Sequence, residues 1–210
     1  MSTSVIQLDD SPLAKFHLSR MRDAESSTET FRLHLESLAS VLAVEAASLL
    51  EFSDEQVQTP LAMAPSNQLS GDCYLVPILR AALGMMPAFE RLMPFANTAH
   101  LGLKRNEETH EAECYYQNFP ANLQGAQVLV LDPMLATGGS AIAAVDEVQR
   151  CGGRVMGFVC CVAAPEGISA LQKAHPDLKI VAAAVDEGLN ENAYIVPGLG
   201  DAGDRCFGTE

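Results

Sequence analysis

A chain of 210 residues and 22.4 kDa with 48% apolar residues has the size of one compact domain, able to bury roughly 70% of the surface its unfolded form exposes. Its 27 acidic side chains against 13 basic ones leave a formal charge of −14, which argues against nucleic-acid binding, a process driven by basic side chains that displace counterions from phosphates. No run approaches the ~20 apolar residues of a membrane span, and the start MSTSVIQLDD lacks the basic and apolar segments of a signal peptide, so the expected location is cytoplasmic, with no membrane partner.

Pro12 to Met21 and Thr28 to Leu50 read as helices. The second places Phe31, Leu35, Leu38, Leu42 and Leu49 on one face and has Ser26 and Glu29 at capping-box spacing. The polar stretch Ser53 to Ser70 reads as a loop or a short edge strand. Strands are predicted at Cys73 to Leu79, Thr98 to Leu103, Val128 to Asp132, Val155 to Ala163 and Ile180 to Val185. Helices are predicted at Ala81 to Met93, Ser140 to Arg150 and Glu166 to Ala174. Strands alternating with helices of about ten residues imply right-handed βαβ units, hence an α/β fold with a mainly parallel central sheet flanked by helices. Neither repeats nor linkers interrupt the chain, so 1–210 is read as a single domain.

Several residue types carry no special chemistry on this reading. The cysteines at 73, 114, 151, 160, 161 and 206 form no CxxC pair and read as buried thiols. The histidines at 17, 34, 100, 110 and 175 have no metal-ligand spacing, and no serine sits in a GxSxG context. Met85, Met86 and Phe89 read as core filling. Gly198 to Gly203 spells GxGxxG, but only seven residues follow, too few for the crossover helix and second strand of a dinucleotide fold.

The informative segment is VLVLDPMLATGGS, Val128 to Ser140. An unbroken apolar run suits a strand covered on both faces, and Asp132 falls at its carboxyl edge, where open α/β sheets bind ligands. The loop Ala136, Thr137, Gly138, Gly139, Ser140 supplies two hydroxyls and two glycines at the start of a helix, whose free N–H groups and positive dipole end attract an anion. A phosphate fits there. Arg80, after the strand Cys73 to Leu79, brings a planar donor fork to the same sheet edge.

This constellation resembles the type I phosphoribosyltransferases, and the variant DPMLATGGS resembles the uracil phosphoribosyltransferase family. Three further segments agree: PILRAALGMM from Pro77, KRNEET from Lys104, and YIVPGLGDAGDRCFGT from Tyr194. The resemblance spans nearly the whole chain, including the helical start HLSRMRDAESSTETFR from His17. It implies a helical N-terminal part at 1–52, a β-hairpin arm at 104–120 reaching toward a partner subunit, and a uracil-binding hood at 186–210. It implies that Asp132, Pro133, Met134, Leu135, Ala136, Thr137, Gly138, Gly139 and Ser140 hold phosphoribosyl pyrophosphate together with Arg80, Arg105 and Asp201. Uracil would be read by Ile195, Gly200, Asp201 and Ala202. Arg80, Arg105, Asp132 and Asp201 would be the catalytic set, with Mg2+ carried mainly by the substrate and no dedicated protein metal ligand. A homodimer or higher homo-oligomer and an effector role for GTP are further implications. The general family pattern has two adjacent acidic residues where this chain has Asp132 and Pro133, and glycine where it has Ala82, whose methyl is expected to crowd the pyrophosphate turn. The competing expectations are a phosphoribosyltransferase for another base and a non-catalytic ligand-sensing regulator.

Overall fold

The structure, a computed structural model, describes residues 4–105, 112–120 and 122–209. The tip of the expected arm, 106–111, and the side chain of Arg105 lie outside the described residues. In chain order the elements are β1 (Val5–Gln7), α1 (Pro12–Arg22), α2 (Thr28–Ala47), β2 (Phe52–Gln58), β3 (Met63–Leu69) and β4 (Cys73–Leu79). A 3-10 turn (Ala81–Gly84) leads to α3 (Met86–Leu92), β5 (Asn97–Thr98), β6 (His100–Arg105), β7 (Ala112–Asn118), β8 (Gln127–Leu131) and β9 (Met134–Leu135). Then come α4 (Gly139–Arg150), β10 (Arg154–Ala163), α5 (Pro165–Ala174), β11 (Ile180–Val185), β12 (Gly188–Leu189), β13 (Ile195–Val196) and α6 (Ala202–Phe207).

The central sheet runs β1-β11-β10-β8-β4-β6-β7, with β5 on β4 and β9 on β10. Every pairing is parallel except β6 with β7, an antiparallel hairpin in the region expected of the arm. In β8, Leu129 and Leu131 point into one core with α2 and α3, while Val128 and Val130 point into a second core with α4. All four are fully buried, which is why the run has no polar interruption. Each such side chain contributes about 1.5–3 kcal/mol on leaving water.

Local chemistry sets the boundaries. Ser11 caps α1 by accepting from the Ala14 N–H at 3.2 Å. The cap of α2 is Ser27, accepting from the Thr30 N–H at 3.2 Å, and not the expected Ser26, whose hydroxyl instead donates to the Arg20 carbonyl at 2.7 Å to close the α1–α2 turn. The single helix expected over Ala81 to Met93 is divided because Pro87 has no N–H for the Leu83 carbonyl and is tolerated only in a helix's first turn.

The stretch read as loop or edge strand is a two-stranded hairpin, β2–β3, paired in register from Phe52↔Leu69 to Gln58↔Met63. Its base is held by the side chain of Gln127, a residue only 1% exposed. Gln127 Oε1 accepts from the Glu51 N–H at 2.6 Å, and Nε2 donates to the carbonyls of Glu51 at 3.1 Å and Ser70 at 2.9 Å. Replacing it with leucine strands three backbone groups, so Gln127→Leu is expected to lower stability by about 2–3 kcal/mol. A calorimetric melt checks this, and an unchanged Tm would mean that water replaces the amide.

Four cysteines are buried as expected, at 73, 160, 161 and 206, but Cys114 on β7 is exposed and Cys151 half-buried. No helix among the described residues is long and apolar enough to cross a membrane.

Candidate active site

The β8–α4 connection builds an anion cradle. Asp132 leaves the end of β8 with its N–H bonded to the Val159 carbonyl at 3.1 Å, and its Oδ1 accepts from the Met134 N–H at 3.3 Å. Gly138 adopts φ 89° as the residue before α4, a conformation that glycine takes without the Cβ penalty. No acidic residue occupies the first turn of α4 to compete for its N–H groups. Asp132, Met134 to Ser140 and Ala141 enclose a cavity of 190 Å³. Pro133 does not line it: it is buried, and its carbonyl accepts from the N–H groups of Cys161 at 2.9 Å and Val162 at 3.1 Å.

A second cavity of 320 Å³ adjoins the first and shares Met134, Ala136 and Thr137 with it. Its other walls are Asn192, Ala193, Tyr194, Ile195 and Asp201. Asn190 shapes this wall: its Oδ1 accepts from the N–H groups of Asn192 at 3.0 Å and Tyr194 at 2.9 Å, while Ala193 sits at φ 62°. Of the residues expected to meet the base, Ile195 and Asp201 line the cavity. Gly200 and Ala202 flank Asp201 in the chain, and the Ala202 side chain is fully buried.

Asp201 has two tasks, because its Oδ1 also caps α6 by accepting from the Asp204 N–H at 2.9 Å. Enclosure pushes the Asp132 carboxyl up to about 7, with the Asp201 charge adding to the effect. Two acidic groups therefore face the joined cavities, Asp132 enclosed and Asp201 exposed at the rim.

Arg80 stands where expected, beyond the end of β4 next to β8. It is exposed, 3.7 Å from Asp204 and with its guanidinium 5.9 Å from the centre of the Phe207 ring. The expected crowding by Ala82 is absent: its methyl is fully buried in the core beneath the turn. Ala82→Gly is thus expected to leave phosphoribosyl pyrophosphate affinity unchanged and to destabilise by roughly 1 kcal/mol through lost packing and added backbone freedom. Titration and a melt on one preparation separate the two effects. Lys104 lies 3.3 Å from Glu113 across the β6–β7 hairpin, with both groups exposed.

The segment after β11 is held otherwise than the sequence suggests. Of its apolar residues Tyr194, Ile195 and Val196, Tyr194 and Val196 are exposed and only Ile195 is buried. The holding is done by arginines. Arg22 makes a bidentate pair with Asp186, at 2.5 and 2.8 Å. Arg205 donates to the carbonyls of Met21, Leu199 at 2.9 Å and Asp23 at 2.6 Å while stacking 4.6 Å over Phe31, and Arg32 donates to the Cys206 carbonyl. Gly167 was also missed: a Cβ there would lie 2.4 Å from the Ala136 carbonyl oxygen, so α5 supports the cradle through backbone contact. A helix-period pattern with one glycine offers no signal for such a role.

This sheet, with a glycine cradle at its carboxyl edge and a second cavity roofed by the chain's last hairpin, defines a type I phosphoribosyltransferase fold. An adenine phosphoribosyltransferase structure from Leishmania donovani superposes with a TM-score of 0.59 over 92% of this chain and 88% of that one, at 14% identity, a likeness of fold alone. The structure of the AQ2163 protein from Aquifex aeolicus matches with a TM-score of 0.88 and 36% identity, covering 97% of both chains. A uracil phosphoribosyltransferase of Streptococcus agalactiae serotype III (strain NEM316) is 47% identical over 205 residues, 97% of this chain and 98% of the relative. The family model for uracil phosphoribosyltransferase matches residues 8–209. The chain belongs to the uracil phosphoribosyltransferase family.

Proposed function

We propose that this protein converts uracil and phosphoribosyl pyrophosphate (5-phospho-alpha-D-ribose 1-diphosphate) to UMP and diphosphate, a step of pyrimidine salvage in the cytoplasm. The observation that carries the reading is the pair of adjoining cavities meeting at Met134, Ala136 and Thr137. One is built for a phosphate, and the other has room for a flat heterocycle.

The 5-phosphate sits on Thr137, Gly138, Gly139 and Ser140 at the α4 N-terminus. Asp132 accepts from the ribose hydroxyls, which turns C1 of the sugar toward the second cavity. Uracil lies there against Ile195, with main-chain groups of 195 and 200–202 reading its alternating donors and acceptors. N1 attacks C1 as the bond to diphosphate breaks, positive charge develops on the ribose, and the N1 proton passes to the departing diphosphate or through water to solvent. Catalysis comes from holding N1 in line with C1 and from balancing the departing charge with Arg80 and Arg105. No protein nucleophile is needed.

With no group of three His, Cys, Asp or Glu side chains placed to hold a metal among the described residues, a magnesium ion would be held chiefly by substrate oxygens and water, with Asp201 meeting it through bound water. The ion would supply charge neutralisation at the diphosphate. Arg105→Ala is expected to reduce kcat by roughly 100-fold with a much smaller change in uracil affinity; steady-state kinetics check it, and equal kinetics would remove the assignment.

The arm, and with it a homodimer or higher oligomer, and an effector role for GTP rest on family resemblance. Sedimentation and initial rates with and without GTP test both. The decisive assay is UMP formation from uracil, phosphoribosyl pyrophosphate and magnesium. Silence with uracil but turnover of another base or orotate overturns the choice of base, and tight binding of both reactants without product overturns the enzyme.

A further inference from the structure

The ion pair Arg22–Asp186 does more than join two elements. Asp186 follows β11, its own N–H bonded to the Ala163 carbonyl of β10 at 2.8 Å, so it is fixed to the sheet. Its side chain is only 4% exposed and serves two partners. One is the guanidinium of Arg22, the last residue of α1; the other is the Gly198 N–H, donated to Asp186 Oδ2 at 2.8 Å. Arg22 closes the ring, because the nitrogen that reaches Oδ2 also donates to the Gly198 carbonyl at 3.0 Å. Both main-chain polar groups of Gly198 are thereby fixed by a single charged pair.

Gly198 lies between the two pieces that wall the larger cavity, Asn192 to Ile195 before it and Asp201 after it. It has φ 60°, and a Cβ on it would stand 2.0 Å from the Ile195 carbonyl oxygen, so the chain folds back on itself tightly at this point. Where Gly198 is held decides the spacing of Ile195 and Asp201 across the cavity. A charge-assisted, bidentate pair whose carboxylate is nearly enclosed and whose guanidinium is 24% exposed holds position better than neutral bonds do.

We infer that Arg22 and Asp186 are positioning residues for the base cavity, fixing Gly198 so that Ile195 and Asp201 stand at the separation the heterocycle requires. This rests on the reading of the larger cavity as the uracil site. The phosphate cradle at the start of α4 has no bond to either residue, so the two substrates are expected to respond differently.

The test is steady-state kinetics of the full chain, with uracil and phosphoribosyl pyrophosphate varied separately, for Asp186→Asn and Arg22→Lys. The expected result is a uracil KM raised roughly 10- to 100-fold in Asp186→Asn, and less in Arg22→Lys, while the KM for phosphoribosyl pyrophosphate, which keeps its cradle and is touched only through Asp201, rises at least about fivefold less. Equal rises in both constants would mark a general brace and overturn the inference, as would unchanged constants. Should Asp186→Asn not fold, Arg22→Lys, which retains charge but loses the fork, decides on the same readout. Hydrogen exchange without substrate supplies an independent measure: amides of 195–201 should exchange faster in the variants while those of β8 and β10 keep their rates. Loosening spread through the whole sheet would overturn the inference. A wild-type protein silent toward uracil would fail the functional reading, leaving the exchange result to judge the anchoring of Gly198 alone.

Discussion

Replacing Asp132 with asparagine is expected to give a protein that resists unfolding better above neutral pH and holds phosphoribosyl pyrophosphate worse. The carboxyl is pushed from 3.8 up to about 7 by enclosure first and by Asp201 second. Between those values the native state keeps a proton that the unfolded chain has released, so stability falls as pH rises through that window, and above it the full penalty stands. At about 1.4 kcal/mol per pKa unit, less what partial solvent contact screens, this amounts to roughly 2–4 kcal/mol. Asparagine removes the titration. Its Tm advantage should therefore be about 5–10 °C at pH 8 and vanish near pH 4. Substrate affinity should move the opposite way, by roughly 10- to 100-fold, because a charged acceptor for two hydroxyls becomes a neutral amide with one acceptor. Melts at the two pH values and calorimetric titration of phosphoribosyl pyrophosphate check both halves. A Tm difference independent of pH would contradict the pKa argument, and unaltered affinity would remove Asp132 from the sugar site.

Gly167→Ala should impair the cradle from behind. The new methyl would stand 2.4 Å from the Ala136 carbonyl oxygen and 2.8 Å from that of Leu135, both backbone atoms with no rotamer to move away. Relief requires displacing either α5 or the loop. The loop is the softer choice, since one side of it faces open cavity whereas α5 packs Leu171 fully into the core. The expected outcome is a loss of roughly 1–3 kcal/mol in stability from overpacking together with at least about tenfold weaker binding of phosphoribosyl pyrophosphate, from misplaced N–H donors. Since Gly167 lines neither cavity, a melt that drops while titration with the substrate is unaffected would show that α5 yields instead.

What could be read from the sequence follows from how local each cause is. β4 and β11 match their predicted spans, Cys73–Leu79 and Ile180–Val185, because buried parallel strands are unbroken apolar runs. The cradle was legible for the same reason: strand, acidic end, glycines and helix are consecutive in the chain. The β2–β3 hairpin was not, since every residue of β2 is exposed and no alternation of apolar and polar side chains marks it. Strand β1 is three residues long and is defined by its register with β11, from Val5↔Ile180 to Gln7↔Ala182. The arginine contacts of Arg22, Arg32 and Arg205 span most of the chain's length, and spacing along a sequence carries no trace of them. Ala82 misled in the opposite sense, because a motif position says nothing about which way a side chain faces.

The uneven burial of the thiols has a practical use. Burial pushes the Cys73 thiol up to about 11 and raises those of Cys160, Cys161 and Cys206 as well, and a protonated, enclosed sulfur reacts slowly with electrophiles. Cys114 alone among the six is openly accessible, on β7 at the edge of the central sheet. A maleimide dye added at neutral pH should attach there first. The native molecule thus comes with its own attachment point for fluorescence, without the engineering of a cysteine-free background.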